Sequence, residues 1–184
     1  MIKFVDYFKE RKKIRKDFEK DEEGRAIVNI SIRDKEEVLS PYHYEDKEII
    51  NEEFASMLEN IVKSVPLKQK VNLTIKCNNI SESEKEEFSV ATKNYYENKI
   101  IDSQIRLKRA YSLFAVCIVL SIISLGLLFL THFYNAHEML SEVVDILVWV
   151  FVWESIDIIV FQQGTIRLEK LRYNALYESK INFN

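Results

Sequence analysis

The sequence predicts a small α+β cytoplasmic domain, a βαβ unit plus a long helix, standing on an all-α two-helix transmembrane hairpin. Three observations predict it. Ser112–Thr131, SLFAVCIVLSIISLGLLFLT, runs twenty residues without a charge. Twenty helical residues rise about 30 Å, the thickness of the hydrocarbon core. Val143–Phe161, VVDILVWVFVWESIDIIVF, is nearly as apolar yet carries Asp145, Glu154 and Asp157. Ahead of both, residues 26–77 read as strand, helix and strand. The organisation expected from these signals is a basic amphipathic segment over 1–24, a cytoplasmic βαβ domain over 25–80 and a helical stalk over 81–111. A first transmembrane helix follows over 112–132, an outer loop over 133–142, a second transmembrane helix over 143–163 and a cytoplasmic C-terminal helix over 164–184.

Composition bounds the reading. The 184 residues hold 26 Lys+Arg against 29 Asp+Glu, a formal charge of −3. That length suits one small domain with a membrane segment, and the charge gives no reason to expect nucleic acid as a partner. Met1–Lys20 is charged every few residues and has no apolar centre, so it does not read as a signal peptide. Instead it places Phe4, Val5 and Phe8 on one side and follows them with Arg11, Lys12, Lys13, Ile14, Arg15 and Lys16. A basic amphipathic segment reads as a helix on the lipid surface, where each basic residue contributes about 1 kcal/mol near anionic lipid. The competing reading is a solvated helix whose Phe residues pack on their own domain.

Asp21-Glu22-Glu23-Gly24 reads as a turn, and Ala26–Ile32 alternates Val28, Ile30 and Ile32 with Asn29 and Ser31, a half-buried strand. Ser40-Pro41 interrupts the chain. Asn51 is an N-cap for a helix reaching Ser64, with Phe54, Met57, Leu58, Ile61 and Val62 on one face, and Pro66 ends it. Val71–Cys77 is a second alternating strand, so a βαβ crossover with parallel strands is expected. Ser81 with Glu84, or Ser83 with Glu86, has capping-box spacing, and no breaker follows before Gly126, so one helix is expected to rise from the domain and become the first span. Two strands and one amphipathic helix make a marginal domain, which therefore needs the long helix, a third strand or a neighbouring subunit.

Arg106, Lys108 and Arg109 precede the first span, Arg167, Lys170 and Arg172 follow the second, and no Lys or Arg lies between Arg109 and Arg167. The positive-inside rule then sets both termini in the cytoplasm and the short loop outside, in a multi-pass protein of the plasma membrane. An antiparallel register matched on the ends of the spans sets Arg106 beside Glu169, Ser121 level with Glu154 and Cys117 level with Asp157. Cys77 and Cys117 lie in different segments and read as reduced, small hydrophobes.

Soluble chemistry finds little support. Gly24, Gly126 and Gly164 are the three glycines, too few for a phosphate-binding loop. There is no CxxC, HExxH or nucleophile-elbow motif, so no enzyme, cofactor or metal is expected. Tyr42-His43-Tyr44-Glu45-Asp46 reads as a polar loop, and His132 and His137 as residues reaching for the membrane surface.

The membrane acids differ. A carboxylate near mid-bilayer costs roughly 2.5–3.5 kcal/mol on insertion scales, so it is rarely present without a partner or a role. Glu154 and Asp157 share a helix face, Asp145 points nearly opposite, and Cys117, Ser121 and Ser124 form a small polar stripe on the first span. In one reading Glu154 is a protonated, hydrogen-bonded tie in an oligomer. In a second, carboxylates from several subunits line a wet, cation-favouring path. In a third, the second span is shifted or partly interfacial. Trp149 and Trp153 sit away from the usual aromatic belt and point to protein contact. The expected function is a homo-oligomeric membrane protein whose cytoplasmic sensing or docking domain controls a pore-forming or membrane-perturbing hairpin. The alternative is a non-transporting anchor that recruits a cytosolic partner.

Overall fold

The computed structural model describes residues 18–44, 47–67, 69–77, 80–134 and 137–183. The basic cluster Arg11, Lys12, Lys13, Arg15 and Lys16 lies outside the described residues, as do Glu45 and Asp46. The chain has a small sheet together with long helices, divided into two compact units: one contains the chain up to Ile101 with Lys170 onward, the other Asp102–Glu169.

In the first unit β1 (Ala26–Ser31), β4 (Val71–Lys76) and β5 (Lys180–Phe183) form a parallel sheet in the order β1-β4-β5. Val28 opposes Leu73 and Leu73 opposes Ile181, so the apolar set of each strand shares a face. Between β1 and β4 lie a 3-10 turn (Lys35–Glu37), the antiparallel pair β2 (Leu39–Tyr44) and β3 (Lys47–Ile50), and α1 (Glu52–Val62). Asn51 caps α1: its Oδ1 accepts from Glu53 N at 2.9 Å, while its Nδ2 donates to the Glu36 carbonyl at 3.2 Å. Helix α1 buries Phe54, Ala55, Leu58 and Val62 in the core.

Helix α2 (Glu82–Phe133) is unbroken over 52 residues. It opens on the first of the two candidate capping boxes, with Ser81 N donating to Glu84 Oε2 at 2.9 Å and Glu84 N to Ser81 Oγ at 3.3 Å. Those bonds hold the Glu84 carboxyl below its ordinary value, with Lys35 adding to the effect. The first turns of α2 are part of the core: Phe88, Ala91 and Tyr96 are buried with the sheet. Phe88 meets Phe54 and Phe183 edge-on at 5.7 and 5.8 Å. Tyr96 is fully buried and its hydroxyl donates to the Ala55 carbonyl at 3.3 Å; burial pushes its phenol far above the ordinary value, helped by Glu59.

Four sequence expectations are corrected. Residues 164–184 are not all helix: α4 (Gln163–Tyr177) stops, and Lys180–Phe183 turns back as β5. Burial of Ile181 and Phe183 against the core and pairing of the β4 edge outweigh helical continuation. Ser40-Pro41 does not break the chain but sits inside β2, a strand of a two-stranded ribbon that has an edge to accommodate proline. The Tyr42–Asp46 stretch accordingly contains the end of a strand, not only loop. The domain also extends beyond residues 25–80, because α2 and the C-terminal strand complete its core.

A polar chain crosses the sheet. Asn182 Nδ2 donates to Asn72 Oδ1 and Asn72 Nδ2 donates to Asp21 Oδ2, both at 2.9 Å. Asp21 Oδ1 also accepts from the Glu23 and Arg25 amides at 3.0 and 2.8 Å, closing a turn in which Gly24 takes φ +76°, a left-handed conformation suited to glycine. Burial works against the Asp21 charge, but the amides of Arg25, Asn72 and Glu23 and the Arg25 guanidinium outweigh it and hold the carboxyl below its ordinary value.

Two measurements check this account. Phe88→Ala removes a ring packed between two others, so it should lower the unfolding free energy of this unit by about 3–5 kcal/mol in denaturant titration. For Asp21, a depressed folded pKa gives stability that is present above the unfolded value of about 4 and lost as pH falls through the folded value. The Tm gap between wild type and Asp21→Asn should therefore be widest near neutrality and narrow in acid; a gap independent of pH would contradict the assignment.

Candidate functional site

Among the described residues one helix, α2, is long and apolar enough to cross a membrane by length and composition. Helix α3 (Glu138–Asp157) follows and carries five carboxylates: Glu138, Glu142, Asp145, Glu154 and Asp157. It does not meet the same measure, so the structure supports one apolar span where the sequence reading expected a transmembrane pair.

Within the unit Asp102–Glu169 the two arms run antiparallel. Arg106 Nη2 donates to Glu169 Oε2 at 2.9 Å, the pairing anticipated from matched span ends, and Arg106 Nε lies 3.1 Å from Asp102 Oδ2. Arg167 donates to the Tyr111 hydroxyl and stacks its guanidinium 5.9 Å from that ring. The Arg106–Glu169 pair is partly exposed, so its contribution is about 0–1 kcal/mol.

The inner faces follow a three-and-four spacing. On α2, Ser103, Ala110, Ser121 and Ser124 are buried, with Phe114, Cys117, Leu128 and Thr131 half-buried. On α3, Val144, Val148 and Ser155 are buried and Phe151 half-buried, the three-and-four spacing of one helix face. The small polar stripe of Cys117, Ser121 and Ser124 is thus assembled on one inward face. Ser121 of this stripe and Ser155 of α3 both bond within their own helices: Ser121 Oγ donates to the Cys117 carbonyl at 2.8 Å, and Ser155 Oγ donates to the Phe151 carbonyl at 2.8 Å. Each satisfies itself on its own helix.

Helix α3 is then interrupted by a π-helical turn, Ile158–Gln162, closed by Gln163 N donating to the Ile158 carbonyl. Ile158 is buried at 2 % exposure and the next buried residue is Gln163 at 3 %, five positions on. The turn absorbs one extra residue and keeps the inward face in phase with α4. Gln163 was not anticipated. Its side-chain nitrogen is buried with no hydrogen-bond partner among the described residues, a state that costs roughly 1–3 kcal/mol. Ser155 was also missed, although the spacing Val144, Val148, Phe151, Ser155, Ile158 carries the signal.

The carboxylates lie outside this seam. Glu154 and Asp145 are exposed and Asp157 is half-buried, where its Oδ2 accepts from Gln162 Nε2 at 3.2 Å. Ser155 faces inward, so Glu154, about 100° away around the helix, borders the seam on one side and Asp145 on the other. Trp149 and Trp153, 65 % and 70 % exposed, occupy the outer face one turn apart. Glu154 is exposed on the flank of α3, while Ser121 and Ser124 are buried on α2. His132 and His137 are exposed, and no group of three or more His, Cys, Asp or Glu residues is arranged for a metal ion among the described residues. No family model matches the chain, and no curated protein or solved structure matches it.

The seam makes a direct prediction. Ser155→Ala should leave helix-pair melting within about 0.5 kcal/mol, since the lost bond is to the same helix. Ser155→Leu should destabilise it by about 1–3 kcal/mol by overfilling the contact. Thermal melts followed by circular dichroism in detergent separate the two, and equal melts would remove the seam.

Proposed function

We propose that this chain is a small integral membrane protein that assembles with further copies of itself. In this reading its sheet domain is a cytoplasmic docking or sensing module, and the α2–α3 hairpin forms a cation-favouring path or perturbs the bilayer. The observation that carries the reading is the outward position of Glu154 beside an exposed Trp149–Trp153 ladder. A carboxylate and two indoles near the middle of a span over residues 143–163 are poorly suited to lipid, and they lie off the face that turns toward α2. A second copy supplies a surface for the indoles, and a ring of Glu154 and Asp157 supplies the negative lining that attracts cations. The uncharged run in α2 and the Lys/Arg asymmetry about the hairpin support insertion with both termini in the cytoplasm.

Topology is testable first. A cysteine at His132, in a background lacking Cys77 and Cys117, should react with a membrane-impermeant thiol reagent in intact cells, whereas one at Glu178 should not. Labelling of Glu178→Cys from outside would end the model.

Glu154→Gln then separates a path from a tie. If ionised Glu154 lines a path, Gln leaves assembly intact and lowers cation selectivity in reconstituted bilayers. Assembly that survives Gln but weakens by on the order of 1 kcal/mol with Leu, with no conductance in wild type, makes Glu154 an interhelical tie and the protein an anchor.

A further inference from the structure

The end of β1 opens into a groove of about 580 Å³, lined also by the Asp34–Glu37 turn and the start of α1. Its apolar lining includes the buried Ile32 and Phe54 and the half-exposed Met57. Asp34, Glu36, Glu37 and Glu53 add four carboxylates, and no Lys or Arg lines it. None of the four has an ion-pair partner among the described residues, although Glu37 accepts the Arg33 amide at 3.0 Å. The neighbouring Lys35 ammonium is held instead by Glu84 at 3.2 Å. A strand edge runs into the same groove. Ala26 N and Ile32 N donate to the Lys70 and Lys76 carbonyls at 2.8 and 3.0 Å, so the even-numbered residues of β1 turn their backbone toward β4. Ile27 N donates the other way, to the Glu19 carbonyl at 2.8 Å. Ser31, also odd-numbered and part of the groove lining, therefore directs its N–H and C=O to the outer edge. Among the described residues no strand pairs with β1 at that point.

We propose that this groove docks an extended basic segment of another protein, with one apolar side chain against Ile32, Phe54 and Met57 and Lys or Arg on either side of it. The proposal rests on the docking reading of the sheet domain and names the chemistry of its partner. Charge complementarity selects the occupant, because carboxylates without a counter-charge around an apolar lining repel acidic chains and favour cationic ones. A bare metal ion does not match, since no three His, Cys, Asp or Glu side chains are grouped for one among the described residues. An extended peptide does match: the outward backbone of Ser31 offers it main-chain hydrogen bonds, as in strand addition to a sheet edge. Met57, unbranched and polarizable, adapts to the apolar side chain that enters. The three features lie within one groove and act on three parts of the same ligand: backbone, apolar side chain and charge.

Fluorescence anisotropy on the full chain in detergent tests this, with the labelled peptide GKRKIKRKG as the probe. Glu36→Gln with Glu53→Gln should weaken its binding about tenfold, the loss expected for two exposed charge pairs. Glu86→Gln with Glu97→Gln removes the same charge from exposed positions of α2 outside the groove and should leave binding within about twofold. Met57→Ala should weaken binding of GKRKIKRKG but not of GKRKSKRKG, in which Ser replaces the central Ile. Equal weakening by the two double variants would reduce the binding to overall charge and overturn the groove. Absence of binding to the wild-type chain overturns the proposal as well. Binding regained on removal of residues 1–17 then gives the groove to this chain's own basic residues, and self-association lost in Glu36→Gln with Glu53→Gln gives it to a second copy. The peptide meets solubilised protein, so these outcomes are independent of the side of the membrane on which the domain lies, which labelling of Glu178→Cys reads separately.

Discussion

The burial of one face of α2 against a three-stranded sheet is the contact on which the domain depends. Three parallel strands and α1 cannot enclose a core by themselves, because parallel strands need cover and the sheet is only three strands wide. Phe88, Ala91 and Tyr96 supply that cover. Phe88 alone joins α1 to β5 by two edge-on ring contacts, and Tyr96 ties its hydroxyl to the carbonyl of Ala55 in α1. The same helix runs on without a break into the most apolar stretch of the chain. A single helix thus carries a core face in its first turns and an uncharged apolar surface in its last ones, and the residue types change accordingly between Arg109 and Ser112.

Much of the sheet domain was legible because periodicity and caps report local physics. The alternation in Val28, Ile30, Leu73 and Ile75, the Asn51 cap and the Ser81–Glu84 box all appear where their patterns place them. What was missed depends on contacts distant in sequence. Lys180–Phe183 has four residues and follows a helical run, so only the open edge of β4 makes it a strand. The ribbon of β2 and β3 was hidden by Pro41, a breaker in a helix or central strand but tolerable in a two-stranded pair. The extent of the domain was misjudged for the same reason: its third strand and its cover lie about a hundred residues apart in sequence.

In the helix pair, the sequence showed which residues are polar but not which way they turn. The matched-end register set Ser121 level with Glu154 and suggested a hydrogen bond, whereas the hydroxyls of Ser121 and Ser155 return to their own helices. Such a bond satisfies the donor without demanding a partner, so the seam can be narrow without being polar. The phase of α3 was harder still to read. One extra residue between Ile158 and Gln163 would rotate the remaining helix by about 100° if it stayed α-helical. The π turn takes up that residue, and Arg106 and Glu169 meet beyond it. No composition signal marks the turn; it follows from two faces that must both stay inward.

That division of labour limits what Glu154 can do. Since serines and aliphatic side chains fill the seam, the carboxylate has no hydrogen-bonding role inside the pair. Trp149 and Trp153 lie on the outer face of the same helix, so α3 keeps two surfaces apart: an inward row of Val144, Val148, Phe151, Ser155 and Ile158, and an exposed surface that carries the indoles and Glu154. A substitution in the inward row therefore reads out the packing of the helix, and one at Glu154 reads out what meets its exposed surface.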